Sequence, residues 1–323
     1  MKDKIQGDDL ILNRLFTLLN QYLPFPVRKI IQIRKNVYYV VSEQIPFILK
    51  GFSTIESLRL QETYTTSLRN EGFEQTYSFY RLVNQPIFFK EKYFGLIEFI
   101  ESHPQPFTYH SHENRMAGLE LLHAYHTKTK PLINQFSTVL PRFNLEEKWQ
   151  ERMNVFLSNL PYIQYYLNDH MIREILSWAN ESLVGLQTEI KSFLNDSPVI
   201  LHGDVAHHNF LKTKNGDLYL IDFDLISIGD QRADLLQYAN RILPALNWSL
   251  FRLAEYPHLQ FNLQNRAFLW GLMYPTDIFR EWNRIIKDKS DQQPRNLFMV
   301  MDLTIRQFHL RKKFIKDLKN MIK

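Results

Sequence analysis

The chain has no cysteine among its 323 residues, so disulfides and thiolate-held metals are excluded. Glycine is scarce, ten in all, and none falls between Gly7 and Gly51. A turn in that interval cannot be a glycine-rich loop whose backbone N–H groups close on a phosphate. No stretch approaches the ~18 uncharged apolar residues of a membrane span. The opening MKDKIQGDDLILNRLF has no apolar core of a secretory signal, so a cytoplasmic protein is expected. Zinc-finger spacing, basic–aromatic motifs and long charge runs are missing as well, and no nucleic-acid partner is expected. There is no internal repeat.

What is present is a globular composition, 45% hydrophobic and 23% charged, with ample material for a core. The net charge is +5, and part of the basic excess sits in RQFHLRKKFIKDLKNMIK. There Phe308, Ile315, Leu318 and Ile322 recur at helical spacing, which predicts a terminal helix docked on the core. A basic helix lying on a membrane or nucleic acid is the alternative.

The character changes along the chain. Residues 29–52 read as three strands separated by breakers at Arg34–Asn36 and Glu43–Pro46. Ser53 or Thr54 can cap a helix with Leu58, Glu62, Thr65 and Leu68 on one face, ended between Asn70 and Gly72. Two further strands are expected in TYSFYRLV and PIFFKEKYFGLIEFI. From about residue 110 helical patterns dominate, and Asn144 with Glu147 forms a capping pattern. The expectation is a small β-rich lobe over 1–101 followed by a larger, mostly helical lobe over 102–323.

The most informative stretch is LHGDVAHHNFLKTKNGDLYLIDFD, residues 201–224. Asn215-Gly216 between two apolar runs predicts a hairpin with a two-residue type I′ turn. In that register Lys214 faces Asp217, Leu211 faces Leu220, Phe210 faces Ile221, and Asn209 falls opposite Asp222. Asp204 lies in the turn leading to the same end, and alternation sends Asp224 to the face of Asp222. Several oxygen donors converging at one mouth suit Mg²⁺, which accepts one or two carboxylates and leaves the rest of its shell to water and phosphate.

His202-Gly203-Asp204, Asn209 and the Ile221-Asp222-Phe223-Asp224 run resemble the catalytic and metal loops of the aminoglycoside-phosphotransferase and choline-kinase-like superfamily. Gly229-Asp230, Asp234-Leu235, His123 or His126, Asn36-Val37-Tyr38 and Ile48-Leu49-Lys50 extend the likeness over essentially the whole chain. The cadence of KGFSTIESLRLQETYT and LRNEGFEQTYSF is most similar to the bacterial spore-coat-associated CotS/YutH branch. The resemblance implies an α+β, bilobal protein-kinase-like fold that uses ATP and Mg²⁺ to phosphorylate a small hydroxyl- or amine-bearing molecule. It implies Asp204 as the group receiving or orienting the acceptor proton, and Asn209, Asp222 and Asp224 as metal donors. Lys50 would neutralise the α- and β-phosphates, positioned by Glu62, with Gln61 nearly as good a match. Backbone around Glu98, Phe99 and Ile100 would read adenine.

Two readings follow from different classes. Asp204, Asn209 and Asp222 favour an active kinase, whereas the glycine-free turn Arg34-Lys35-Asn36 favours a kinase-fold structural or assembly component of the spore coat, with other coat proteins as partners. Tyr165, Tyr166, Trp178, Trp248 and Trp270 could cage a quaternary amine or simply fill the core.

Overall fold

The computed structural model describes residues 2–83, 85–193, 198–288 and 293–323. The chain opens with a helix α1 (Lys2–Tyr22), followed by β1 (Val27–Arg34), β2 (Val37–Ser42), β3 (Phe47–Phe52) and α2 (Ile55–Asn70). Then come β4 (Phe79–Tyr80), β5 (Ile87–Phe89) and β6 (Lys92–Glu98). The middle holds α3 (His112–Thr129), α4 (Leu145–Ser158), α5 (Asp169–Phe193), β7 (Val199–Leu201), β8 (Phe210–Lys212) and β9 (Leu218–Leu220). The last third holds β10 (Ser227–Gly229), α6 (Arg232–Ile242), α7 (Arg266–Met273), α8 (Thr276–Lys287), α9 (Gln293–Met301) and α10 (Phe308–Ile322).

The chain separates into two compact units, Met1–Pro106 with Leu211–Asp224, and Phe107–Phe210 with Leu225–Lys323. The first unit is wider than a cut after residue 101, because it takes in the hairpin of β8 and β9. Backbone bonds explain this: His103 N–H donates to the Lys212 carbonyl at 2.8 Å and Lys214 N–H to the Glu101 carbonyl at 2.8 Å.

The first unit is an antiparallel sheet in the order β1-β2-β3-β6-β4, with β5 also on β6. Strand alternation sorts its side chains. Tyr38, Val40, Phe47 and Leu49 face a core completed by Leu15 and Leu19 of α1 and by Leu23 just after it. Lys50, paired in register with Gly95 of β6, points to the other face. Helix α2 starts as expected: Thr54 caps it by accepting from Ser57 N–H, and Leu58, Thr65 and Leu68 are buried.

Two features differ from the sequence reading. Helix α1 was not anticipated, because its apolar positions are diluted by polar residues and it is stabilised by the sheet it covers. The run PIFFKEKYFGLIEFI is two strands, not one, folded at Lys90-Glu91, where both residues have positive φ (46° and 59°). That is the type I′ geometry, made here without the usual Asn-Gly signal.

The second unit is mostly helical, with one small ladder of β7 and β10 pairing Leu201 with Ser227. Trp149 stacks on Tyr274 at 4.2 Å, and Phe156 on Phe279 at 4.6 Å. The terminal helix α10 docks on this core through Phe314, Ile315, Leu318 and Ile322, the last three as its spacing predicts, while Phe308 is only half-buried. No helix among the described residues is long and apolar enough to cross a membrane.

Candidate active site

The first unit gathers three of the expected residues. Lys50 Nζ lies 2.8 Å from Asp222 Oδ1 and 2.7 Å from Asp224 Oδ1, with the lysine itself largely buried. Phe223 between the two acids is the anchor: it is buried and meets Tyr64 edge-on at 5.4 Å and Tyr77 at 5.8 Å. Asp222 has φ of +72°, a left-handed conformation that Asp and Asn tolerate better than most residues. Burial, and then the nearby charges of Asp222 and Asp224, push the Tyr77 phenol well above its ordinary range.

The helix partner of this cluster is Gln61, not Glu62. Gln61 is buried and its amide bonds Asp224, while Glu62 pairs with Arg59 at 3.1 Å on the helix surface. At the end of β6, Glu98 is committed to Ser78, its N–H donating to the carbonyl at 2.9 Å and its Oε2 accepting from Ser78 N–H at 3.1 Å. Phe99 meets Tyr39 at a tilt, with ring centroids 4.5 Å apart, just beyond β6.

The hairpin register is corrected. Gly216 N–H donates to the Thr213 carbonyl at 2.9 Å, and Thr213 N–H donates to the Asp217 carbonyl at 2.8 Å. The loop is thus three residues, Lys214 to Gly216, with Gly216 alone at positive φ (+94°). This is a turn followed by a glycine bulge. Thr213, not Lys214, faces Asp217, so Leu211 falls opposite Tyr219. The reversal is displaced by one residue, and Asn209 does not fall opposite Asp222 in this register. Asn209 is not a strand residue at all but ends the short 3-10 turn His207–Asn209.

In the second unit, β7 delivers His202-Gly203-Asp204. Asp234, on α6, ties the loop down: its carboxylate accepts from His202 N–H at 2.7 Å, from Gly203 N–H at 3.0 Å and pairs with His126 Nε2 at 2.9 Å. Burial alone would raise that carboxyl, but the bonds and charges of His126 and His202 hold it below its ordinary value. Asp204 N–H donates to His202 Nδ1 at 3.3 Å. Asn209 Nδ2 donates to the Asp204 carbonyl at 2.8 Å, so its side-chain oxygen is the group that can accept a hydrogen bond or ligate a cation.

Two residues that sequence reasoning missed complete this loop. Arg241 Nη2 donates to Asp204 Oδ1 at 2.7 Å, and Gln237 Nε2 donates to the Gly203 carbonyl at 3.0 Å. Both follow Asp234 at helical spacing, on the α6 face that meets the loop. That spacing was the legible signal.

Gly203 is required where it stands. Its φ is +79°, and an added Cβ would lie 2.2 Å from the Leu225 carbonyl oxygen. Gly203→Ala is expected to lower unfolding free energy in urea by more than about 2 kcal/mol. Gly216→Ala, with φ of +94° but open space around it, is expected to lose only about 1 kcal/mol. Equal losses would contradict the steric assignment.

Residues 109–267 match the phosphotransferase enzyme family. Solved structures agree on the fold. An aminoglycoside phosphotransferase from Alicyclobacillus acidocaldarius is 17% identical, covers 94% of this chain and 94% of its own, and superposes with a TM-score of 0.72. A spectinomycin phosphotransferase in complex with ADP and spectinomycin is 15% identical, covers 96% and 97%, and has a TM-score of 0.52. The fold is kinase-like. The matched segment includes Asp204, Asn209, Asp222, Asp224 and Asp234, and excludes Lys50.

The donor set fits the metal that such a fold implies. Asp222 and Asp224 reach one shared ammonium and offer only oxygen, which suits a hard cation. Among the described residues no three of His, Asp and Glu converge as a metal cage. Two carboxylates with water and phosphate completing the shell are the Mg²⁺ pattern. The five aromatics named for a cage are scattered: Trp178 packs on Phe308, Tyr166 on Trp282, Trp270 lies against Gly185 of α5, Tyr165 is exposed, and Trp248 carries the Arg311 guanidinium on its face.

Proposed function

We propose that the protein is an ATP- and Mg²⁺-dependent phosphotransferase acting on a hydroxyl-bearing small molecule. The observation that carries this reading is the Lys50 ammonium set between Asp222 and Asp224. A buried strand lysine meeting two acids is a charge arrangement made for phosphate and a divalent ion. In the first unit Lys50 binds ATP phosphates, Asp222 and Asp224 hold Mg²⁺, Gln61 orients Asp224, and the Phe99–Ile100 backbone meets the base. Bound Mg²⁺ neutralises charge on the transferring phosphoryl group.

In the second unit Asp204 receives the acceptor proton, and Asn209 supplies an amide oxygen in the role the resemblance implies. The acceptor oxygen bonds to the γ-phosphorus as the bond to the bridging oxygen breaks. ADP leaves with that electron pair, and the hydroxyl proton passes to Asp204. Such a transfer asks mainly for positioning and charge neutralisation.

The test is ADP release coupled to phosphoester formation, followed by phosphorus NMR over a panel of hydroxyl compounds. ADP with matching phosphoester supports the proposal. Nucleotide binding without phosphoester from any acceptor would favour a second reading, a kinase-fold scaffold associated with the spore coat. One feature favours that alternative: the β1–β2 connection closes at Arg34–Val37 over Lys35-Asn36 with no glycine.

A further inference from the structure

Beside Asp204, within the second unit, lies a cavity of about 760 Å³ lined by Lys148, Arg152, Arg241, Arg280 and Arg284. Four carboxylates share the lining: Asp204, Asp277, Glu281 and Asp302. Their charges are already taken. Asp204 is held by Arg241 at 2.7 Å, and Glu281 by Arg280 at 2.9 Å and Arg284 at 2.6 Å. Asp277 is paired with Arg311 and Asp302 with Arg306, neither of which lines the cavity. Two cations are left over. Arg152 Nη1 bonds only a neutral hydroxyl, Thr276 Oγ1 at 2.6 Å, and Lys148 lies over the Phe143 ring at 5.1 Å.

Among the described residues, neither Lys148 nor Arg152 has a carboxylate within 4.0 Å. Arg241 Nε is buried with no hydrogen-bond partner among them. The crowding is felt by the groups themselves. Burial first, and then the charge of Arg152, lowers Lys148; burial, and then Arg280, lowers Arg152 and Arg241. Such a set carries a surplus of positive charge.

We infer that the acceptor carries a phosphate or carboxylate group as well as its reacting hydroxyl, the anion seated on Lys148 and Arg152 and the hydroxyl at Asp204. This rests on the kinase reading of Asp204 for the hydroxyl, but the anion seat is a binding property testable by itself. Guanidinium and ammonium groups grip phosphate and carboxylate through charge-assisted hydrogen bonds. A cationic acceptor would meet like charge and lose binding there.

The test is calorimetric titration of the full chain, at constant ionic strength, with inorganic phosphate, glycerol 3-phosphate, glycerol and choline. Glycerol 3-phosphate and phosphate are expected to bind at least about tenfold more tightly than glycerol or choline. Lys148→Met combined with Arg152→Met should remove that preference, and Arg152→Lys should retain part of it. Choline binding as tightly as phosphate, or phosphate affinity unchanged in the double variant, would overturn the inference. If the double variant fails to fold, the wild-type ligand series and Arg152→Lys decide it. ADP is titrated separately: anion binding without nucleotide binding removes the kinase reading and keeps the anion seat, and nucleotide binding without anion preference does the reverse.

Discussion

Asp204→Asn should lower phosphoryl transfer by about three orders of magnitude while the nucleotide still binds. The substitution keeps size and shape, and the side chain is partly exposed, so the fold should survive. What it removes is the carboxylate proposed to take the proton. It also leaves Arg241, whose Nη2 lies 2.7 Å from Asp204 Oδ1, without its ion-pair partner beside the cavity. Initial-rate measurements of kcat against ADP affinity separate the two effects. A loss below tenfold would mean that Asp204 does not handle the acceptor proton.

The second large effect is on stability. Arg311 from α10 and Asp277 from α8 form a buried, two-pronged ion pair with one arm at 2.9 Å and the other at 2.5 Å. The guanidinium also lies 3.7 Å from the Trp248 ring centre. Removing one partner strands the other charge in the core, so Arg311→Met or Asp277→Asn should cost about 3–5 kcal/mol in urea unfolding. The double variant should lose less than the two singles combined, because no lone charge remains.

Acid sharpens the same prediction. Burial alone would raise the Asp277 carboxyl, but Arg311 holds it below its ordinary value. A depressed folded-state pKa contributes stability above the unfolded value, near 3.9, and loses it as pH falls through the folded one. Wild type should therefore lose stability below about pH 4, more steeply than Asp277→Asn. Identical acid profiles would show that the pair is not intact in solution.

How much of this was legible in the residues depends on which force set each feature. The strands of 29–52, the Thr54 cap and the docked tail were readable, because local patterning and core burial agree there. The acids of HGD and IDFD stand out in the sequence as candidates, but the hairpin between them was misread. A type I′ turn at Asn215-Gly216 and a bulged three-residue loop present the same dipeptide, and only the backbone bonds of Thr213 distinguish them. Gln61 and Glu62 are neighbours differing by 100° around a helix, so a small error in the buried face exchanges them. The cation-lined cavity was not legible, since α4, α6 and α8 contribute to it from well-separated parts of the chain; Arg241 had a signal only in its helical spacing from Asp234.

The proposed acceptor chemistry does not come from the structural neighbours. Likeness to enzymes named for aminoglycosides is a likeness of fold at 17% identity or less. An amine-rich sugar seeks carboxylates, whereas the carboxylates around this cavity are already paired and the surplus is cationic.

The account stands or falls on Lys50, Asp222 and Asp224 being a metal–nucleotide site. Calorimetric titration of ATP, with Mg²⁺ and with chelator, into wild type and Asp222→Asn measures this directly. Asparagine suits that position because it tolerates the left-handed backbone of residue 222. Wild type should bind ATP at least about tenfold more tightly with Mg²⁺ than without, and the variant should lose most of that gain. ATP affinity indifferent to Mg²⁺ in wild type, or an undiminished metal effect in Asp222→Asn, would contradict it.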